Sequence, residues 1–312
     1  MYAGGVAITA TLFNDPACPW GYSANPALSV LRWRYRDQLD WRLVVIVLRE
    51  DTSDRVANGF TPARMARGAR MFRDRFGMPI TAHARERLVP TGRVCRAVVA
   101  TRLAHPGREL AAMRALQFAW FNGPELLDED DAIEHALGDV EGIDAGAIVA
   151  ALDAPEVIAA YEADKAESRT AAGGPTDFQG KAATDGALVR YTAPSIIFEH
   201  NGRRLEAGGF QTIEAYDVLI ANLDTSLERT PPPDGPLPLL EYFTDGLTTQ
   251  EVAVLLAGNL QLPDRAGAEE ALIELAADGA IARQPLGDDA LWRPAAAARS
   301  GGPAPRDALA AA

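Results

Sequence analysis

A single thiol, Cys18, stands between a hydrophobic strand pattern and a helical one, and this placement constrains the chain more than any other stretch. The run Val6–Phe13 is apolar and rich in β-branched residues, and Asn14, Asp15 and Pro16 end it, so it predicts a short buried strand. Cys18-Pro19-Trp20-Gly21-Tyr22 opens a helix whose Leu28, Leu31 and Tyr35 share one face. Trp41–Leu48 is almost continuously apolar, as expected of a strand covered on both sides of a parallel sheet. Strand, helix and strand within fifty residues predict a right-handed βαβ unit. A thiol in the first helical turn faces unpaired N–H groups and the positive end of the helix dipole, so Cys18 is expected to have a lowered pKa and to act as a nucleophile. Gly21 stands where a dithiol site would carry its second cysteine. A glycine cannot resolve a mixed disulfide, which leaves a monothiol site or a former redox site kept for binding.

The chain has 312 residues, 48% hydrophobic and 23% charged, enough to bury a large core and a second small domain. Its net charge of −13 argues against non-specific binding to nucleic acid or anionic lipid, both of which need excess Lys and Arg. No secretory leader or membrane-spanning run is evident, so a cytoplasmic location is expected. Cys18 and Cys95 do not make a disulfide framework, and His83, His105, His135 and His200 lack metal-ligand spacing, so no metal site is expected.

Apolar residues recur at helical spacing from Thr61 to about Asp185, where Thr61-Pro62 reads as an N-cap followed by a first-turn proline. Strands return at Ser195–Glu199 and Arg203–Ala207 around an Asn201-Gly202 turn, and a helix follows over Thr212–Leu223. The expected organisation is therefore an α/β domain at 1–60 and 186–228 with a helical insertion at 61–185. A proline-rich linker at 229–236 leads to a winged-helix-like domain at 237–294, and a disordered tail covers 295–312. In the winged-helix-like part three short helices are expected at Leu237–Phe243, Thr248–Leu256 and Gly267–Asp278, and Ala280–Ala282 and Ala290–Arg293 flank a wing. That unit is acidic, with Arg265, Arg283 and Arg293 opposed by ten carboxylates. Protein contact, a homodimer among its forms, is expected of it rather than DNA binding.

Three landmarks together resemble the DsbA-like branch of the thioredoxin superfamily, which includes the kappa-class glutathione transferases and the 2-hydroxychromene-2-carboxylate isomerases. They are Asp15-Pro16-Ala17-Cys18-Pro19-Trp20-Gly21-Tyr22, similar to a Cys-Pro-Trp-Cys-Tyr motif; Tyr191-Thr192-Ala193-Pro194-Ser195, similar to a loop carrying a cis-proline; and Gly208-Gly209-Phe210-Gln211, similar to a Gly-x-Gln segment before a last helix. The resemblance spans roughly residues 5–225 and implies a thioredoxin-like fold with an α-helical insertion. It also implies that Pro194 lies beside Cys18, and that Ala193 offers its backbone to an extended thiol ligand such as glutathione or mycothiol. Pro19, Trp20 and Gly21 would border that ligand. Gly21 departs from the pattern, so disulfide oxidase activity does not carry over.

The expected function is thiol-dependent chemistry on a small molecule, as oxidoreductase, transferase or isomerase, with Cys18 catalytic and a low-molecular-weight thiol as cosubstrate. The alternative is a noncatalytic binding or regulatory protein. Cys95 lies in an apolar helical stretch and reads as core, the other arrangement being a bond to Cys18. Arg64, Arg67, Arg70, Arg73 and Arg75 read as a solvated helix face. Trp20 reads as pocket wall or core anchor, and Tyr22 as core.

Overall fold

The computed structural model describes residues 7–295. Strand β1 (Ile8–Asn14) is followed by a short helix α1 (Pro19–Ser23), which Pro19 opens at a first-turn position where its missing N–H leaves nothing unpaired. Helix α2 (Asn25–Tyr35) continues from it and buries Leu28, Leu31 and Tyr35, and a 3-10 turn leads into β2 (Leu39–Val45). The second strand begins two residues before its apolar run and ends at Val45, because Val47 takes a positive φ of 53° and turns the chain out of the sheet.

The insertion holds α3 (Ser53–Ala57), α4 (Pro62–Phe76), α5 (Gly92–Ala104), α6 (Glu109–Asn122), α7 (Asp130–Leu137), α8 (Ala145–Ala150), α9 (Pro155–Glu167) and α10 (Pro175–Phe178). Thr61 caps α4 by accepting the Arg64 N–H at 3.2 Å, and Gly77 ends it in the left-handed conformation at φ 73°. The insertion begins before residue 61 and is not wholly helical. A hairpin of β3 (Ala182–Asp185) and β4 (Leu188–Tyr191) straddles the expected boundary at 185/186. Two four-residue, half-exposed strands around Gly186 carry too little apolar alternation to register as strand in the sequence.

Strands β5 (Ser195–His200) and β6 (Arg203–Ala207) form the second hairpin, and Thr212 caps α11 (Ile213–Leu223). The main sheet has the order β2-β1-β5-β6, with β1 and β2 parallel and the other pairs antiparallel. One large core lies between this sheet and the helices of the insertion, and a smaller cluster including Phe13, Val44, Ile46, Tyr191 and Ile197 lies on the sheet's other face.

The C-terminal unit runs α12 (Leu237–Tyr242), β7 (Leu247–Thr248), α13 (Thr249–Leu256), α14 (Arg265–Ala277), β8 (Ile281–Leu286) and β9 (Asp289–Pro294). Its sheet has the order β7-β9-β8, so a short strand joins the two that flank the expected wing. A capping box starts α13: Thr248 Oγ1 accepts the Glu251 N–H and Glu251 accepts the Thr248 N–H. The unit packs on its own chain, since Val30 and Trp33 of α2 join Leu240, Phe243, Val252, Leu255 and Trp292 in one core. The proline-rich linker is pinned alongside: Trp33 Nε1 donates to the Pro231 carbonyl at 2.8 Å and Thr230 N–H to that of Arg34 at 2.8 Å. Apart from Ala295, the expected tail at 295–312 lies outside the described residues. No helix among the described residues is long and apolar enough to cross a membrane.

Candidate functional site

Sheet register brings two distant segments together. Phe13, near the end of β1, pairs with Ser195 at the start of β5, so the loop leaving β1 and the loop entering β5 emerge at the same sheet end. The first carries Cys18 and the second Ala193 and Pro194, whose connecting peptide bond is cis. Cys18 is the N-cap residue of α1, and its Sγ donates to the Ala193 carbonyl at 3.3 Å. Among the described residues the Ala193 N–H has no protein acceptor.

The expected lowering of the Cys18 pKa is overturned. Cys18 is 6% exposed, and burial pushes its thiol up to about 11. The Gly21 and Trp20 N–H groups and the Arg190 guanidinium favour thiolate, while the Asp15 carboxylate opposes it. Five residues of helix give a weak field, and the loss of water around the sulfur outweighs it.

Gly21 is fixed by its surroundings. A β-carbon there would stand 2.0 Å from Asn14 Oδ1, and that oxygen is held by the Asp15 N–H at 2.9 Å. The place of a second thiol is thus filled by the Asn14 amide. Asp15 organises the rest of the loop, accepting from Ala17 N–H and Leu48 N–H, each at 2.8 Å. Cys95 donates to the same carboxylate at 3.5 Å and is a buried free thiol, as is Cys18, so the two are not bonded. Sequence reasoning missed Asp15, whose place just after a strand gives no signal of the contacts it makes across the fold. Tyr22 is core, stacked on Phe121 at 4.6 Å with its hydroxyl donating to the Pro79 carbonyl. Trp20 is 39% exposed and meets Phe72 and Phe76 of α4 edge-on and Phe210 at a tilt, so the Gly208–Gln211 segment and the insertion share one aromatic cluster at the site's rim.

Ala17 and Pro19, the residues adjoining Cys18 in sequence, also wall a cavity of about 390 Å³ between the insertion and the β1–α1 loop. Phe60, Met65, Phe72, Trp120 and Phe121 give it an apolar surface, and Arg49, Arg55, Arg64, Arg85 and Arg87 give it charge. Arg64, Arg67, Arg70 and Arg75 of the arginine-rich helix are exposed, and of these Arg64 also lines the cavity. Among the described residues no group of His, Cys, Asp and Glu is placed to hold a metal ion.

No protein-family model matches the chain, and no curated protein matches it. Solved structures do. One, provisionally named a protein disulfide isomerase of Nitrosomonas europaea, is 17% identical and superposes with a TM-score of 0.54 over 70% of this chain and 97% of its own. Another, provisionally named a DsbA oxidoreductase of Streptomyces coelicolor, is 17% identical, with a TM-score of 0.51 over 72% of this chain and 92% of its own. The chain has the DsbA-like thioredoxin fold. In that fold the helical insertion α3–α10 interrupts the thioredoxin-like unit between β2 and β5, and the site at the shared sheet end is where its two halves meet.

Proposed function

We propose that this protein is a monothiol enzyme of thiol chemistry, a reductase, transferase or isomerase of a small molecule, with glutathione or mycothiol as cosubstrate and Cys18 as its nucleophile. The observation that carries this reading is the approach of Cys18 Sγ to the Ala193 carbonyl at 3.3 Å, beside Pro194, with glycine in place of a second thiol. Ala193 has an N–H without an acceptor among the described residues, and a C=O that accepts only the Cys18 thiol there, with which to receive an extended ligand backbone in the manner of a sheet edge. Pro19 and Trp20 border the ligand on the helix side, whereas Gly21, expected there too, is buried against the Asn14 amide and offers it no surface.

In the exchange step the Cys18 sulfur attacks one sulfur of a substrate disulfide and forms a Cys18–substrate disulfide, while the Cys18 proton passes to the other sulfur, which leaves as a thiol. An external thiolate then attacks that mixed disulfide at the substrate's sulfur, takes the substrate as a new disulfide and returns Cys18 as thiolate. The external thiol is the reductant and the first disulfide the oxidant, so no second protein cysteine is needed. At rest the sulfur is a neutral thiol bonded to Ala193, and a ligand backbone that competes for the Ala193 carbonyl releases it. Two free cysteines suit a reducing cytoplasm.

Burial of the sulfur favours a second reading, a noncatalytic thioredoxin-fold binding or regulatory protein. The two separate in a glutathione-dependent assay of 2-hydroxyethyl disulfide reduction. The enzyme reading predicts turnover by the unaltered chain and by Cys95→Ser, and none by Cys18→Ser. Turnover that survives Cys18→Ser contradicts it, and absence of turnover in every variant supports the binding reading.

A further inference from the structure

The chain carries a net charge of −13, yet among the described residues no Asp or Glu lines the cavity beside Pro19, while five arginines do. One of them is already neutralised: Arg87 is paired with Asp128 at 2.7 Å and Glu129 at 3.2 Å. The others have no carboxylate partner among the described residues. Arg85 donates to the carbonyls of Glu125, Trp120 and Gly123, and Arg64 and Arg55 lie over the Phe60 ring at 4.2 and 4.5 Å. Among the described residues the Arg49 guanidinium has neither a hydrogen-bond acceptor nor an ion-pair partner, and it faces the Trp120 ring at 6.0 Å, with Arg85 over the same ring at 5.1 Å. Burial pushes the Arg49 guanidinium down; the Asp15 carboxylate of the thiol loop opposes this at longer range without pairing with it, and the nearby Arg55 adds to the lowering. Unpaired guanidiniums crowded into a half-buried apolar cleft cost free energy that an anion would offset.

We propose that this cavity is a binding site for an apolar carboxylate, its acid group met by Arg49 and Arg55 and its hydrocarbon body lying among Phe60, Phe72, Trp120 and Phe121. Guanidinium groups present paired donors that match a carboxylate, and the volume of about 390 Å³ is within the usual range for small-molecule sites. The aromatic wall selects a carbon body and the arginines select its charge, so neither a bare anion nor a neutral hydrocarbon satisfies both. Calling the occupant a substrate rests on the function proposed above, because Ala17 and Pro19 put the cavity next to the thiol loop; the binding does not rest on it.

Isothermal titration of the full chain with 4-phenylbutyrate, 4-phenylbutan-1-ol and inorganic phosphate tests the inference. The acid should bind roughly tenfold or more tightly than the alcohol, with phosphate weaker than the acid. Arg49→Gln should bring the acid to the alcohol's affinity, and Arg67→Gln, exposed on the arginine-rich helix and outside the cavity, should leave it within about twofold. Cys18→Ser should bind the acid as the unaltered chain does, so a failure of the thiol chemistry and a failure of the site are told apart. The inference is overturned if the acid binds no better than the alcohol, if neither binds, or if a folded Arg49→Gln chain binds the acid undiminished. Should Arg49→Gln fail to fold, the comparison of acid and alcohol on the unaltered chain decides.

Discussion

Position 21 has no room for a side chain, because the Asn14 amide occupies the space a β-carbon would take. Helix propensity alone would make Gly21→Ala stabilising by about 1 kcal/mol. The overlap with a buried, hydrogen-bonded amide costs about 1–3 kcal/mol, so the substitution should lower stability in urea unfolding, and adding Asn14→Ala should recover part of the loss. A more stable Gly21→Ala chain contradicts the packing described. At Cys18 the thiol is held up at about 11 from an ordinary 9.0. A raised folded pKa means that the stability from keeping the sulfur neutral is complete below about pH 9 and is lost as pH rises to about 11, a change of about 2–3 kcal/mol. Urea unfolding across that range should show this loss in the unaltered chain and a smaller one in Cys18→Ser, and iodoacetamide should alkylate Cys18 with a midpoint near 11. The sequence placed Cys18 at a helix start and Pro194 in a loop before a strand, and both positions were legible from local breaks and strand patterns. The thiol's burial was not, because the residues around it, Phe13, Val44, Tyr191 and Ile197, come from four separate strands.

At the scale of elements, Glu251 on α13 ties the C-terminal unit to α2 and α6. Its carboxylate completes the capping box, accepts from Ser29 of α2 at 3.3 Å and pairs with Arg114 of α6, all while fully buried. Glu251→Ala removes a cap and leaves a largely buried arginine without its counter-charge, which should cost about 3 kcal/mol or more in chemical denaturation. A loss under about 1 kcal/mol would mean that the pair contributes only as a surface bridge does. The capping box itself could be read as Thr248 followed by Glu251, but its link to Ser29 and Arg114 spans more than a hundred residues and leaves no local trace. The β3–β4 hairpin was hidden for the opposite reason, its strands being too short to carry a period.

Over the whole molecule, the C-terminal unit shares a core with α2, so it is part of the structural support of the thioredoxin-like unit. A chain ending at residue 235 would uncover Val30 and Trp33 and should melt lower or aggregate; a truncated chain that melts at the temperature of the full one contradicts a shared core. The cavity arginines show how far local reading extends. The helical run from Arg64 to Arg75 stood out in the sequence, yet of those five only Arg64 lines the cavity, and Arg49, Arg55, Arg85 and Arg87 join it from outside that helix. In the function proposed for this molecule one sulfur, Cys18, exchanges with an external small thiol across the Ala193–Pro194 loop. Intact mass with peptide mapping after incubation with oxidised glutathione and, separately, oxidised mycothiol tests it most directly. One adduct per chain, on Cys18, reversed by dithiothreitol and absent from Cys18→Ser, is the result predicted; no adduct with either disulfide, or an adduct confined to Cys95, would contradict it.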